Sequence, residues 1–330
     1  MSKEISYAHA ILEAQQYLLK KHEDFIIMGQ GVTSPWYVGA TMTNLNKEYP
    51  DRIIETPVCE NASTSIAFGA SLAKLKTLIV HPRMDFMLYA TDAIVNQAAK
   101  WSGMFGEKID SPFTVRSIIN RGNEQGAQHS QSLQSWFVHV PGIHVVTPYS
   151  PLDARDLLIS SVLNNEPTIY IDDRWLYELK ENYKPIKILN IKNIEAKKIS
   201  NGPDYTLVSY GYGSLVSVKA AEILKKNFKI NIDIIDLRII SKINYKIIIK
   251  SLKKTKKLLV LDYAWGKCGI ASEIISNISI MKNNNNYSFK KITFPFYTTP
   301  TSANLEKAFY PSTKEVIKII LENKKNEKYF

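Results

Sequence analysis

Two side chains in this sequence combine residue type and setting in a way that suits proton transfer, Glu60 and His129. Glu60 closes the irregular, proline-containing run Glu55-Thr56-Pro57-Val58-Cys59-Glu60 and abuts a stretch of small residues running from Ala62 to Leu75. A carboxyl group on a mostly desolvated wall is shifted upward and can hold or share a proton near neutral pH. The alternative is a carboxylate that only complements the positive end of a helix. His129 lies after Gly122 and Gly126, between Gln128 and Ser130, and its titration range suits proton transfer. A lone loop histidine is more often an inert surface residue. Between them, His81-Pro82-Arg83-Met84-Asp85-Phe86, with Tyr89 beyond, adds a cation and an aromatic ring. Arg83 either meets an anionic group or pairs with Asp85 or Asp92, and Phe86 is either a ring platform or core. His139 and His144 read as structural, and His81 is open.

These residues need strands and helices to hold them. Ser6 to Lys20 carries Ala8, Ile11, Leu12, Ala14, Leu18 and Leu19 at helical spacing. Phe25-Ile26-Ile27-Met28-Gly29 is a short apolar run of the kind found in buried parallel strands. Strand-like runs follow at Arg52–Glu55, Thr77–Val80, Phe113–Arg116, Ile143–Pro148 and Thr168–Ile171, with helices expected over 62–75, 89–100 and 153–163. Such alternation specifies a doubly wound α/β layer with a mainly parallel sheet. From Glu181 to Ser200 the composition turns to Lys, Asn and Ile without period, ending at Asn201-Gly202-Pro203. The pattern then restarts with strands at 205–211, 232–236 and 257–261 and helices at 215–227, 245–253, 270–279 and 313–323. Residues 281–288, with Asn283 to Asn286, read as a polar surface loop. The expected organisation is therefore two α/β domains, 1–185 and 204–330, joined by a linker over 186–203.

Composition bounds the answer further. At 330 residues the chain is long enough for two cores, and 45% hydrophobic with 22% charged residues is ordinary for a globular protein. The net charge of +11 is spread through lysine-rich stretches such as Lys253-Lys254-Thr255-Lys256-Lys257 and Lys324-Lys325. No basic stripe with interleaved aromatics accompanies it, so nucleic acid is not expected as a partner. Two distant cysteines, Cys59 and Cys268, exclude a disulfide scaffold or a zinc module and fit a reducing cytosol. A signal-peptide core and a membrane span are both lacking, so a soluble, cytoplasmic protein is expected. The Gly-Asp-Gly start of the metal and diphosphate motif of thiamine enzymes is absent. So are the phosphate loop, a dinucleotide fingerprint, the Gly-x-Ser-x-Gly elbow and the His-Glu-x-x-His pair.

Three stretches, taken in order, carry a resemblance. One is Glu55–Glu60 with the following Ile66-Ala67-Phe68-Gly69-Ala70. Another is Val115-Arg116, then Gly122, Gly126, Gln128-His129-Ser130-Gln131-Ser132 and Pro141 through Ala154. The last is Val208-Ser209-Tyr210-Gly211, Ile234-Ile235-Asp236-Leu237-Arg238 and Ala264 through Glu273. Together they closely resemble the β subunit of the E1 components of pyruvate, branched-chain and acetoin dehydrogenases. That subunit joins a transketolase-type pyrimidine-binding domain to a transketolase C-terminal domain.

The resemblance implies a thiamine-diphosphate enzyme whose site is split between chains. An α subunit would hold Mg²⁺ and the diphosphate, and this chain the aminopyrimidine, in an α2β2 heterotetramer. Glu60 would hydrogen-bond N1′ of the aminopyrimidine and favour its imino tautomer. Phe86 would pack on that ring, with Met84 and Tyr89 beside it. His129 would assist acyl transfer to the lipoyl arm of a separate acyltransferase. The segment His81 to Tyr89 departs from the family's usual Phe-Met-x-Phe-x-Phe, and Tyr89 replaces a common Gln. Arg83 near the substrate entrance would favour an additional anionic group. Arg116, Arg121 and Glu124 would shape either the cofactor pocket or the contact with the α subunit, and Asp172-Asp173-Arg174-Trp175 would be structural. Two other functions stay open: a transketolase-like transfer of a two-carbon or acyl unit to an aldehyde or sugar, and a non-catalytic regulatory partner. Retention of both Glu60 and His129 argues against the second.

Overall fold

The computed structural model describes residues 3–34, 38–106, 110–281 and 287–326, with side chains to residue 322. The asparagine run Asn283–Asn286 and the side chains of Lys324 and Lys325 lie outside the described residues. The chain divides into two compact units, Met1–Arg121 with Gln128–Ile194, and Gly122–Ala127 with Glu195–Phe330.

In the first unit, Ser6 caps helix α1 (Tyr7–Lys21) by accepting the His9 N–H at 3.3 Å, and the helix buries Ile11, Leu18 and Leu19. Apolar runs become the strands β2 (Phe25–Gly29), β3 (Ile53–Glu55), β4 (Lys76–His81), β5 (Phe113–Ile119), β6 (His144–Val146) and β7 (Thr168–Asp173). They form one six-stranded sheet in the order β3-β2-β4-β5-β7-β6, every pair parallel. β5 and β7 are buried along their whole length, as expected where helices cover both faces of a parallel sheet. Helices α2 (Glu60–Leu72) and α3 (Pro151–Val162) supply that cover. A small antiparallel pair, β1 (Glu4–Ser6) with β8 (Lys180–Asn182), sits apart from the main sheet.

The strand order reverses between β2 and β4. In an open parallel sheet the crevice at such a reversal, outside the carboxyl ends of the strands, is where ligands bind. Gly29 ends β2 at this point with φ +151°, and a Cβ there would lie 2.4 Å from the Val80 carbonyl oxygen of β4. Only glycine lets these two strands come this close.

The stretch expected as one helix over residues 89–100 is instead broken. Met84–Met87 forms a single α-turn, Leu88–Ala90 a 3₁₀ turn, and Asp92–Ala98 a π-helix packed against α2. Apolar spacing does not register this, because Ala93, Ile94 and Ala98 face inward in either winding. Wide turns of this kind recur beside functional sites.

The second unit repeats the theme. Strands β9 (Lys197–Lys198), β10 (Tyr205–Ser209), β11 (Ile232–Asp236), β12 (Lys257–Trp265) and β13 (Ser288–Phe294) lie in the order β13-β12-β10-β11-β9, with only β9 antiparallel. Helices α4 (Tyr212–Phe228), α5 (Tyr245–Thr255), α6 (Ile270–Met281), α7 (Ala303–Phe309) and α8 (Thr313–Asn326) accompany it. Among the described residues no helix is long and apolar enough to cross a membrane.

Candidate functional site

Because β3, β4 and β5 run parallel, the residues that follow them leave the sheet at one edge. Glu60 follows β3, Arg83 and Phe86 follow β4, and His129 follows β5.

Glu60 is the first residue of α2. The preceding Cys59 provides no side-chain cap, and Glu60 is half-buried. None of the described residues partners its carboxylate, so the hydrogen-bonding capacity of that group is unspent. One turn further on, Thr64 is buried and its hydroxyl bonds Nε2 of His81 at 3.0 Å. That bond ties the helix bearing Glu60 to the carboxyl end of β4.

His81 is an interior histidine, not a surface one. Burial pushes its pKa down to about 4. The fold therefore favours the neutral imidazole, and the associated stability is fully present above pH 6.5. It is lost as pH falls through about 4, an effect of about 3 kcal/mol. His81→Gln is expected to remove this dependence. Urea unfolding from pH 7 to pH 4 checks it: the wild type should lose that much more stability than the variant, and parallel curves would refute the assignment.

Phe86 and His129 are brought together, with ring centroids 5.2 Å apart and planes at 87°. This edge-to-face pairing orients the imidazole against a half-buried aromatic wall. The loop bearing His129 is held from below. Asp85, 5% exposed, accepts the Gln131 N–H at 3.1 Å. Burial raises the Asp85 carboxyl pKa, against the pull of the Gln131 hydrogen bonds and of His129. The Leu133 N–H points to Sδ of Met84 at 3.2 Å. Met84 is fully buried and supports the loop. Tyr89 is 74% exposed and has no ring or hydrogen-bond partner among the described residues. The Arg83 guanidinium makes long contacts to the carbonyls of Asn120 (3.4 Å) and His129 (3.5 Å), bracing the same loop from the β4 side.

The base of that loop is also fixed. Arg121 is buried, pairs with Asp173, donates to the Ser132 hydroxyl at 3.0 Å and lies 4.7 Å over the Trp175 ring. Arg116 lies deeper, wholly buried. Its Nε and Nη2 grip both oxygens of Asp172 at 2.9 and 2.8 Å, Nη1 donates to Thr41, and the Tyr177 hydroxyl bonds the same carboxylate at 2.7 Å. Burial disfavours the charged guanidinium, but Asp172 and the neighbouring tyrosines hold its pKa above its ordinary value. Arg116 and Asp172 thus brace β5 and β7 beneath the site. Glu55 folds the loop after β2, accepting from the N–H groups of Gly31 and Thr33 and from the Thr33 hydroxyl at 2.8 Å. The bracing by Glu55 and Asp85 was not legible in the sequence, since each pairs with residues more than twenty positions away.

In the second unit, Gly122–Glu124 forms a nest of left-handed residues, with φ of +92°, +56° and +59°. The N–H groups of Gly122 and Glu124 both donate, at 3.0 Å, to the carboxylate of Glu306, which is 5% exposed. Successive N–H groups in such a turn form an anion-binding concavity. Glu124 in turn accepts the Ala303 N–H at 3.0 Å. Among the residues with open roles, Arg116, Arg121 and Glu124 are thus all engaged in holding strands and loops.

Comparison with known proteins places this geometry in a family. The transketolase pyrimidine-binding domain model matches residues 3–180, and the transketolase C-terminal domain model matches residues 195–316. The β subunit of the acetoin:2,6-dichlorophenolindophenol oxidoreductase of Cupriavidus necator is 31% identical, the match covering 96% of either chain. The mitochondrial pyruvate dehydrogenase E1 component subunit β of Dictyostelium discoideum is 33% identical, covering 96% of this chain and 90% of that one. A split-gene transketolase solved as an inactive β4 tetramer aligns with a TM-score of 0.77 at 13% identity, covering 96% of this chain. At that identity the likeness speaks for the fold alone.

Proposed function

The chain belongs to the family of E1 β subunits built from transketolase pyrimidine-binding and C-terminal domains, and from that premise we propose that it is the β subunit of a thiamine-diphosphate-dependent 2-oxo acid dehydrogenase. In this reading it decarboxylates a 2-oxo acid and passes the acyl group to a lipoyl arm, and it is active only with an α-type subunit in an α2β2 assembly. The observation that supports it most is the unspent carboxylate of Glu60, on the same sheet edge as the Phe86–His129 pair.

The residues present fit the aminopyrimidine end of the cofactor: a carboxyl group with no partner among the described residues, and a half-buried aromatic ring that leaves the same end of the parallel sheet. Thiamine diphosphate supplies, when bound, the electron sink that decarboxylation needs. Glu60 would hold a proton between its carboxyl oxygen and a ring nitrogen. Phe86 would supply the apolar surface on which the ring lies, excluding water from it. His129, oriented by Phe86 and held by the loop anchored at Asp85, would deliver or take a proton at its ring nitrogen as the acyl group departs. Arg83 is proposed to favour substrates with an extra anionic group. Mg²⁺ is assigned to the α subunit together with the diphosphate. Val58, just before α2, and Ile66, in its middle, are 71% and 61% exposed, and among the described residues no neighbour stands within 4 Å of a Cβ placed on Gly69. That face is offered to the α-type partner. We place the complex in the cytoplasm, where two exposed free thiols, Cys59 and Cys268, stay reduced.

Calorimetric titration with thiamine diphosphate and Mg²⁺ tests the split site. Binding is expected only when the chain is co-expressed with an α-type subunit. Tight binding by the chain alone would put the diphosphate site here and refute the division. No binding in either preparation would refute the cofactor itself.

A further inference from the structure

A second site, independent of the proposed activity, lies wholly within the second unit. Between α5, β11 and the edge strand β9 is a cleft of about 450 Å³, within the range of small-molecule pockets. Its floor is Asp233, which is fully buried. One carboxylate oxygen is heavily used: it accepts from the Ser251 hydroxyl at 2.7 Å, from Lys254 at 2.9 Å and from Lys198 at 3.0 Å. The other oxygen, Oδ1, is buried too and has no partner among the described residues. A buried acceptor left unmatched is costly and uncommon.

The charges do not balance either. Lys198 and Lys254 share one carboxylate, and Lys250, also in the lining, has no polar partner among the described residues. Three lysines and one acid therefore line the cleft. Lys198 (3.2 Å) and Lys254 (2.8 Å) both donate to the side-chain Oδ1 of Asn201, which ties the two cations together. Beneath them, Ser251 and Thr255 both bond the Thr206 hydroxyl, at 2.6 and 2.7 Å, so the floor is a continuous buried polar network. Ile235 and Ile247 provide apolar walls. A solvated lysine surface needs neither a buried unmatched carboxylate oxygen nor a cleft.

We propose that this cleft binds a small phosphate ester with a hydroxyl group near the phosphate. The phosphate answers the excess positive charge at Lys198, Lys250 and Lys254. The hydroxyl donates to Oδ1 of Asp233, and the apolar walls take the ligand's carbon skeleton or base. Lysine rather than arginine fits a ligand held by point charges in a partly open mouth.

The test is calorimetric titration of the full chain, without thiamine diphosphate or a partner subunit, with AMP, ribose 5-phosphate, inorganic phosphate and adenosine at low ionic strength. The two esters are expected to bind at least tenfold more tightly than inorganic phosphate, and adenosine not at all. Lys250→Ala should weaken ester binding at least tenfold while leaving the thermal midpoint unchanged, because Lys250 is exposed and has no polar partner among the described residues. Ser251→Ala, which strips one donor from Asp233, should weaken it less. Ester binding no tighter than inorganic phosphate would overturn the hydroxyl contact to Asp233. Ester binding indifferent to Lys250→Ala would overturn the site, as would retention on a nucleic-acid polymer without ester binding.

Discussion

Replacing Glu60 by Gln is expected to reduce turnover of the assembled α/β complex by roughly 10²–10⁴-fold, the range for a positioned acid–base group. The measurement is 2-oxo acid oxidation with an artificial electron acceptor, which leaves the lipoyl step out. The same variant should barely change the fold. Its carboxylate has no partner among the described residues, so only its interaction with the start of α2 is lost. That is worth less than about 1 kcal/mol at an exposed helix terminus. Activity and stability therefore separate the two readings of this residue. A purely helix-stabilising Glu60 would give a variant that turns over within a few-fold of the wild type and melts slightly earlier. Glu60→Ala should be at least as inactive, because it also removes the hydrogen-bonding atoms.

The second large effect is structural. Arg116→Met should destabilise the chain by about 3–5 kcal/mol, because it strands the buried Asp172 charge. Thr41 and Tyr177 would lose a partner at the same time. The double variant Arg116→Met/Asp172→Leu should recover part of the loss, since it buries no uncompensated charge. Urea midpoints of the two single variants and the double variant check this. A double variant as unstable as the sum of its singles would mean that the pair contributes independent packing and not a coupled charge. In the assembled enzyme Arg116→Met should also lower activity, because β5 carries the loop that ends in His129.

Much of this architecture was legible in the sequence. The strands Phe25–Gly29 and Ile232–Asp236 fall where their apolar runs begin and end. The pairing of Phe86 with His129 follows from two loops leaving adjacent parallel strands. What escaped has identifiable causes. Strand β13 was missed because Lys290 and Lys291 interrupt its apolar pattern; both are exposed, and β13 is an edge strand. Lysines are the residues that protect such edges from unwanted pairing. Apolar spacing does not separate the π-helix from an ordinary helix, because both windings bury Ala93, Ile94 and Ala98. Asp85, Glu306 and Asp233 act through partners 18 to 184 positions away, distances over which a single sequence gives no pairing signal.

The nest at Gly122–Glu124 has a consequence for anyone who would divide this protein. The second unit is assembled from two separate stretches of chain, and the shorter one supplies the N–H groups that hydrogen-bond the Glu306 carboxylate. A cut after Ile194 would release a carboxyl-terminal fragment with a carboxylate stripped of its cradle, and Thr301 would lose the close packing of Gly126. Domain exchange between relatives would therefore have to move six residues of the amino-terminal half together with the carboxyl-terminal half. For recombination, the unit of inheritance here is not a segment of the gene but a pair of segments that must travel together.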